Sequence, residues 1–266
     1  MTRQLQHATP AQRAAHRQHL AERKAREERE NDTIVRRVLE TPIELTEQDF
    51  DVVVIPSGYA DVSALPAERI QKYAEHLRKV ISEVHDSTDD SISPTNQKML
   101  QLFEKAEARF AAEPTLRDIS NRLCGMCKGG CCAAGGDLAY ITSATIKREK
   151  KRQPGLSDED LVQAYLSRLS SQTITDACVN QATTGCVLPT EMRSDACNGF
   201  HCDTLSAWHD RPSEERADTI FAIQRSGTYR DRNDPTQSRQ IVDVALVKAE
   251  ALLPLTVNLK PLPKNS

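Results

Sequence analysis

Apolar side chains recur at helical spacing in two stretches of this chain. One stripe covers residues 70–84, after Pro66, and the other covers residues 99–110, after Pro94. Side chains at this spacing lie on one face of a helix. The pattern therefore predicts two packed helices, and a third, shorter helical turn delivers the chain to Cys124.

The first thirty-two residues have a different pattern, with charges on nearly every helical face and few large apolar groups. Thr9 is suited to cap a helix, and Pro10 is suited to its first position. The pattern predicts a charged helical extension that packs little against the rest of the chain. The alternative is a helix that binds a protein partner.

Two more helices are predicted within the cysteine-rich part of the chain. Thr142 can cap a helix that runs to Arg152. Ser157 and Asp160 resemble a capping box, and apolar residues follow within 161–169.

The strand signals are short. Residues 51–55 precede Pro56 and predict one strand. Residues 219–224 and 240–247 predict a β-hairpin, although the second stretch also fits a helix. The tail from Leu253 is predicted to be extended.

These elements predict a mainly α fold, with an irregular helical domain around a cysteine-rich site and a small C-terminal hairpin. The predicted regions are a charged helical extension (1–32), a helical region (33–123), a cysteine-rich metal-binding domain (124–210) and a C-terminal region (211–266).

Net charge and hydropathy argue against nucleic acid and membranes as binding partners. The 266 residues include 35 basic and 38 acidic side chains, a formal charge of −3, which creates no general attraction for nucleic acid or anionic membranes. The basic run 147–152 lacks interleaved aromatic residues, so we interpret it as a solvated face or a counter-charge. Aliphatic runs such as 52–55 are far shorter than a membrane span. The first residues lack the apolar stretch of a secretory signal, so the expected compartment is the reducing cytoplasm.

Cysteines are the main chemical signal. All eight cysteines and eight of the ten glycines lie between Cys124 and Cys202. A first group comprises Cys124, Cys127, Cys131 and Cys132, and a second comprises Cys178, Cys186, Cys197 and Cys202.

The number, spacing and compartment of these thiols favour metal ligation. A Cys-x-x-Cys pair can reach one ion from a tight turn, and glycines let backbone N–H groups approach thiolates. Lys128 and Arg193 are candidate counter-charges. His201 and His209 are candidate substitute ligands, although a hydrogen-bonding role is the simpler interpretation. Buried structural cysteines, a disulfide framework and a redox dithiol are the alternatives to metal binding.

The first run ends in a Cys-Cys pair, and single cysteines follow later, in Gly185-Cys186 and in Arg193-Ser-Asp-Ala-Cys197. In this it resembles the CxxCxxCC zinc- or iron-chelating proteins, the YkgJ-like family. The resemblance covers residues 124–202 and implies a bound transition metal, either an iron–sulfur cluster or zinc.

The sequence thus predicts a cytoplasmic metal-binding protein that serves electron transfer, metal handling or structure, with iron–sulfur favoured over zinc. A metal-dependent enzyme and a zinc-stapled interaction module are the alternatives, and no catalytic residue is assigned. We also predict that the two cysteine groups meet in space, because neither group alone has the spacing of a compact metal-binding module.

Overall fold

The computed structural model describes residues 8–41, 46, 49–58, 61–86, 94–130, 132–227, 234 and 239–256. The chain divides into two compact units. The terminal unit combines Met1–Ser57 with Thr204–Ser266, and the cysteine unit is Gly58–Asp203. The second unit contains both cysteine groups.

Helices and strands alternate irregularly along the chain. The helices are α1 (Pro10–Leu39), α2 (Ala67–Asp86), α3 (Pro94–Ala112), α4 (Pro114–Cys127), α5 (Ser143–Arg152), α6 (Asp158–Leu166), α7 (Asp195–Gly199) and α8 (Asp203–His209). The strands are β1 (Asp51–Pro56), β2 (Val62–Ala64), β3 (Gln172–Ile174), β4 (Gln181–Ala182), β5 (Gly185–Cys186), β6 (Ile220–Arg225), β7 (Ile241–Val247) and β8 (Leu252–Pro254). The fold is thus mixed, with more helix than strand. None of the helices in the described ranges has the length and apolar character of a membrane span.

The terminal unit contains a four-stranded sheet in the order β1-β6-β7-β8. Strand β6 pairs antiparallel with β7, which confirms the predicted hairpin, and β1 pairs parallel with β6. The short strand at residues 51–55 is therefore confirmed, and β8 extends the sheet beyond the hairpin. The rest of the predicted extended tail, residues 257–266, lies outside the described residues.

Helix α1 begins where the sequence predicts, but it is not a loosely attached extension. The Thr9 hydroxyl accepts a hydrogen bond from the Gln12 N–H at 3.2 Å, which caps the first turn. Near its other end, apolar side chains of α1 form a cluster with strand residues: Ile34, Val35, Val38, Phe50, Phe221, Ile223, Val244 and Leu246. The predicted boundary at residue 32 falls inside this continuous helix.

Buried arginines connect the charged part of α1 to strand β6 and to Asp234. Arg225 on β6 is 0% exposed and donates to the Asn31 side-chain oxygen at 2.8 Å and to Glu30 Oε2 at 2.9 Å. Arg23, only 2% exposed, donates to the carbonyl of Asp234. The prediction of little packing before residue 32 is therefore wrong for this part of the helix. A protein partner for α1 stays a prediction.

The core of the cysteine unit lies between α2, α5 and α6. Its cluster includes Tyr73, Leu77, Ile81, Ile146, Leu161, Val162 and Tyr165. Thr142 precedes α5, and the Ser157 hydroxyl accepts from the Asp160 N–H at the start of α6, as predicted. The apolar stripes thus locate these helices correctly.

A Leu77→Ala substitution tests this core. Leu77 is fully buried on α2, so truncation leaves a cavity and should lower the free energy of unfolding by about 2 to 5 kcal/mol. Leu253→Ala is the matched control, because Leu253 is 52% exposed and should cost less than about 1 kcal/mol. Chemical denaturation measures both. Equal effects of the two substitutions would contradict the assigned core.

Candidate metal centre

The first two cysteines lie on the last turn of α4, not in a tight turn as the sequence suggested. Cys124 is exposed and Cys127 is buried. Lys128 ends the helix in the left-handed conformation, with φ 51°. The chain then reverses, and the Gly130 N–H donates to Cys127 Sγ at 3.2 Å. This hydrogen bond confirms the expectation that glycine lets a backbone donor reach a thiol.

Cys132 of the first group contacts the segment that carries the second group. Cys131 lies outside the described residues. Cys132 begins a 3-10 turn, and its thiol donates to Gln181 Oε1 at 3.3 Å. Gln181 lies on β4, three residues after Cys178. This side-chain contact crosses 49 residues of sequence.

Helix α4 and the β4–β5 hairpin meet backbone to backbone. A Cβ on Gly125 would lie 2.7 Å from the carbonyl oxygen of Thr184, which is too close for any side chain. Gly185, with φ +123°, would place its own Cβ 3.1 Å from Gly125 Cα. Glycine at both positions therefore allows Cys124 and Cys186 to be carried on neighbouring elements.

The loop after Cys132 contacts two further cysteines of the second group. A Cβ on Gly135 would lie 3.4 Å from Cys178 Sγ. Cys197 Sγ lies 3.9 Å from the carbonyl oxygen of Ala139. The segments that carry the two cysteine groups are therefore in contact, whereas the meeting of their sulfurs stays a prediction.

Burial is the main influence on the ionisation of the Cys178 thiol. Burial raises the pKa of Cys178 to about 12. The backbone N–H of Asn180 lowers this pKa, the charges of Cys197 and Cys186 raise it, and Arg69 lowers it. Cys178 is therefore a protonated thiol at neutral pH in the absence of a metal, and ligation would require loss of that proton.

The pKa of Cys178 predicts its reactivity. In metal-free folded protein at pH 8, iodoacetamide should modify the exposed thiols of Cys124 and Cys186 faster than Cys178, because the thiolate is the reactive form. Between pH 8 and about 11 the rate at Cys178 should keep rising, because its raised pKa delays formation of the thiolate. Timed labelling with peptide mass spectrometry measures the rates. The difference should vanish in denaturant, and equal rates in the folded protein would contradict the assigned burial.

Arginines join the segments that carry the cysteines. Arg193 donates to the Leu188 carbonyl and to Asn121 Oδ1 on α4, both at 2.8 Å. Arg148 of the basic run donates to Asp195 and to the Arg193 carbonyl. Arg148 thus pairs with a carboxylate, and a role of the basic run as counter-charge for thiolates stays a prediction. Lys128, the other predicted counter-charge, is the C-cap of α4.

The two candidate histidines both pack against aromatic rings. Burial lowers the pKa of His201 to about 4, and its ring packs edge-on against Phe110, with 5.7 Å between centroids. His209 belongs to the terminal unit, where its ring lies 5.6 Å from that of Trp208.

One buried polar residue at this site has no marker in the sequence. Asn180 is 1% exposed, and its side-chain amide donates to the Tyr73 hydroxyl at 3.0 Å. Asn180 Oδ1 accepts no hydrogen bond from the described residues. The side-chain oxygen of Asn180, two residues after Cys178, is a hydrogen-bond acceptor that a metal-bound centre could use.

Cysteine sulfur is a suitable ligand for a thiophilic metal. The described residues do not form a complete set of metal ligands. The seven described cysteines form no disulfide with one another. Within the described ranges, which omit Cys131, no three His, Cys, Asp or Glu side chains form a group that could hold a metal ion. The assignment of Cys124, Cys127, Cys131, Cys132, Cys178, Cys186, Cys197 and Cys202 as ligands stays a prediction.

Comparison with protein-family models, with curated proteins and with solved structures finds no match to this chain.

Proposed function

We propose that the cysteine unit binds a transition metal through thiolates drawn from both cysteine groups. The observation that carries the proposal is the contact between the groups, made by Cys132 with Gln181 and by Gly125 with the Thr184–Gly185 turn. Segments that carry cysteines far apart in sequence are thereby held in contact. The helices of the unit would then surround the metal.

The ligands would come from the eight cysteines, with Cys127 and Cys178 as the buried members that already accept backbone N–H bonds. Such donors favour the ionised form of a thiol and offset the negative charge that accumulates when several thiolates bind one metal. Loss of the Cys178 proton would accompany binding, so metal affinity should rise with pH.

Iron, as an iron–sulfur cluster, is the favoured occupant, and zinc is the alternative, because thiolates suit both. When bound, a cluster would supply electron transfer and zinc would supply a structural cross-link. The resemblance to zinc- or iron-chelating cysteine proteins supports this choice of metals. The described cysteines form no disulfide with one another, which supports action in a reducing compartment such as the cytoplasm.

The test is an absorption spectrum of anaerobically purified protein combined with metal analysis. An iron–sulfur centre predicts iron, acid-labile sulfide and visible absorption, whereas zinc predicts a colourless protein that contains zinc. Either result supports the proposal and distinguishes its two forms. Protein that carries no metal, and that takes up neither iron with sulfide nor zinc on reconstitution, would overturn it.

A further inference from the structure

Arg69 on α2 touches the segments that carry both cysteine groups. Its Nε lies 2.5 Å from Asp137 Oδ1, in the loop that follows Cys132. Its Nη2 donates to the carbonyl of Ala177 at 2.6 Å, and Ala177 immediately precedes Cys178. One guanidinium therefore bridges the two groups without using any thiol.

The bridge is partly shielded from solvent and reinforced by the backbone. The side chains of Arg69 and Asp137 are 17% and 26% exposed, so their interaction is screened less than that of a surface pair. The Val179 N–H donates to the Gly136 carbonyl at 2.8 Å beside it. The planar fork of arginine suits two acceptors in fixed positions, which lysine cannot match.

Arg69 and Asp137 carry opposite charges, and they lie next to a site at which negatively charged thiolates would bind the metal. A zinc ion with four thiolates carries a net charge of −2, so a nearby cation stabilises it and a nearby carboxylate destabilises it. Asp137 offsets part of the positive charge of Arg69. The pair thus has one residue that favours the metal-bound state and one that opposes it.

We propose that Arg69 and Asp137 are positioning residues that set the metal affinity of the centre. Arg69 joins the two cysteine segments, and Asp137 offsets part of the positive charge of Arg69. This inference rests on the proposed function and deepens it. Neither residue is a ligand. Their substitutions should shift metal affinity in opposite directions, whereas a purely structural pair would lose affinity from either side.

Two substitutions separate these roles. Arg69→Met removes both contacts and leaves a carboxylate beside the site, so Zn²⁺ affinity should fall about 10- to 100-fold, as for outer-shell partners of other metal sites. Asp137→Asn keeps an oxygen that can accept from Arg69 and leaves the guanidinium charge unopposed. Its Zn²⁺ affinity should exceed that of the wild type, by up to about tenfold.

The experiment is competition of the full chain with a chromophoric zinc chelator, at low and high salt. Arg78→Met is the matched control, because Arg78 lies on the same helix and pairs with Glu159 at 3.0 Å on an exposed surface. Its Zn²⁺ affinity should match the wild type. Arg69→Lys, which keeps the charge but not the fork, should fall between the wild type and Arg69→Met, and it serves if the methionine variant does not fold.

This inference would be overturned if Arg69→Met and Asp137→Asn weakened Zn²⁺ binding equally, or if both Arg69 variants bound Zn²⁺ with wild-type affinity. Either result would leave the proposed function intact. Failure of the wild-type chain to bind Zn²⁺ or to accept a cluster would overturn the proposed function itself.

Discussion

Replacing Cys127 or Cys178 by serine should remove most of the bound metal and destabilise the cysteine unit in one cooperative transition. The two thiols belong to different groups, and both are buried. Metal binding free energy becomes folding free energy when the ligands come from separate segments, and structural zinc contributes about 10 to 16 kcal/mol in small zinc domains. We therefore expect each variant to lose at least about 100-fold in metal affinity, or about 3 kcal/mol.

Metal analysis together with thermal unfolding of each variant measures this effect. The control is the same pair of substitutions in chelator-treated protein, where the loss of stability should be much smaller because no metal is left to lose. We expect the metal-free unit to stay folded, since its core is built mainly of aliphatic and aromatic side chains. Full metal content in either variant would count against a site shared by the two groups.

Arg225→Met should be the most damaging single change in the terminal unit. The fully buried guanidinium donates to Asn31, to Glu30 and to the carbonyl of Glu27 at 2.8 Å. Methionine fills similar space but leaves these acceptors without their donor. Breaking a buried charged network from one side costs about 3 to 5 kcal/mol, a large part of the 5 to 15 kcal/mol typical of a whole domain.

Urea denaturation of the variant, followed by circular dichroism, gives the change in free energy of unfolding. Arg26→Met is the control on α1, since Arg26 is exposed and should change stability by less than about 0.5 kcal/mol. A similarly small effect of Arg225→Met would show that the network does not attach α1 to the sheet.

Most helices of the cysteine unit could be predicted from the sequence because their burial is apolar and periodic. The stripe over residues 70–84 became α2, and the capping signals at Thr142 and Ser157 marked the starts of α5 and α6. Helix α4 was underestimated, since the predicted short turn before Cys124 continues as helix to Cys127. Cysteine carries no strong helical signal, so the end of α4 could not be read from the pattern.

The terminal unit was harder to predict because its two segments lie far apart in the sequence. Local patterns indicated strands at 51–55 and 219–224, but parallel pairing of β1 with β6 is a non-local contact that no local signal specifies. Buried arginines added a second difficulty. Arg225 and Arg23 look like surface residues in any hydropathy pattern, and only their partners on distant segments permit their burial.

The cysteines of the candidate site could be identified from the sequence, but the residues that support them could not. Cysteine number and spacing indicated that the groups meet, and the structure brings their segments into contact. Arg69 and Asn180 were not identified, because a lone arginine on an amphipathic helix and an asparagine in a loop have no distinguishing spacing. The position of Arg69 next to Ala177 depends on how α2 packs.

Differential labelling of the cysteines tests the shared metal site most directly. Full-length protein, with and without bound metal, is treated briefly with iodoacetamide and each cysteine is quantified by peptide mass spectrometry. Cys124 and Cys186 are exposed members of different groups and should react readily without metal. Our account predicts that metal protects cysteines of both groups in parallel, at the same ratio of metal to protein. Protection confined to one group, or no protection at all, would contradict it.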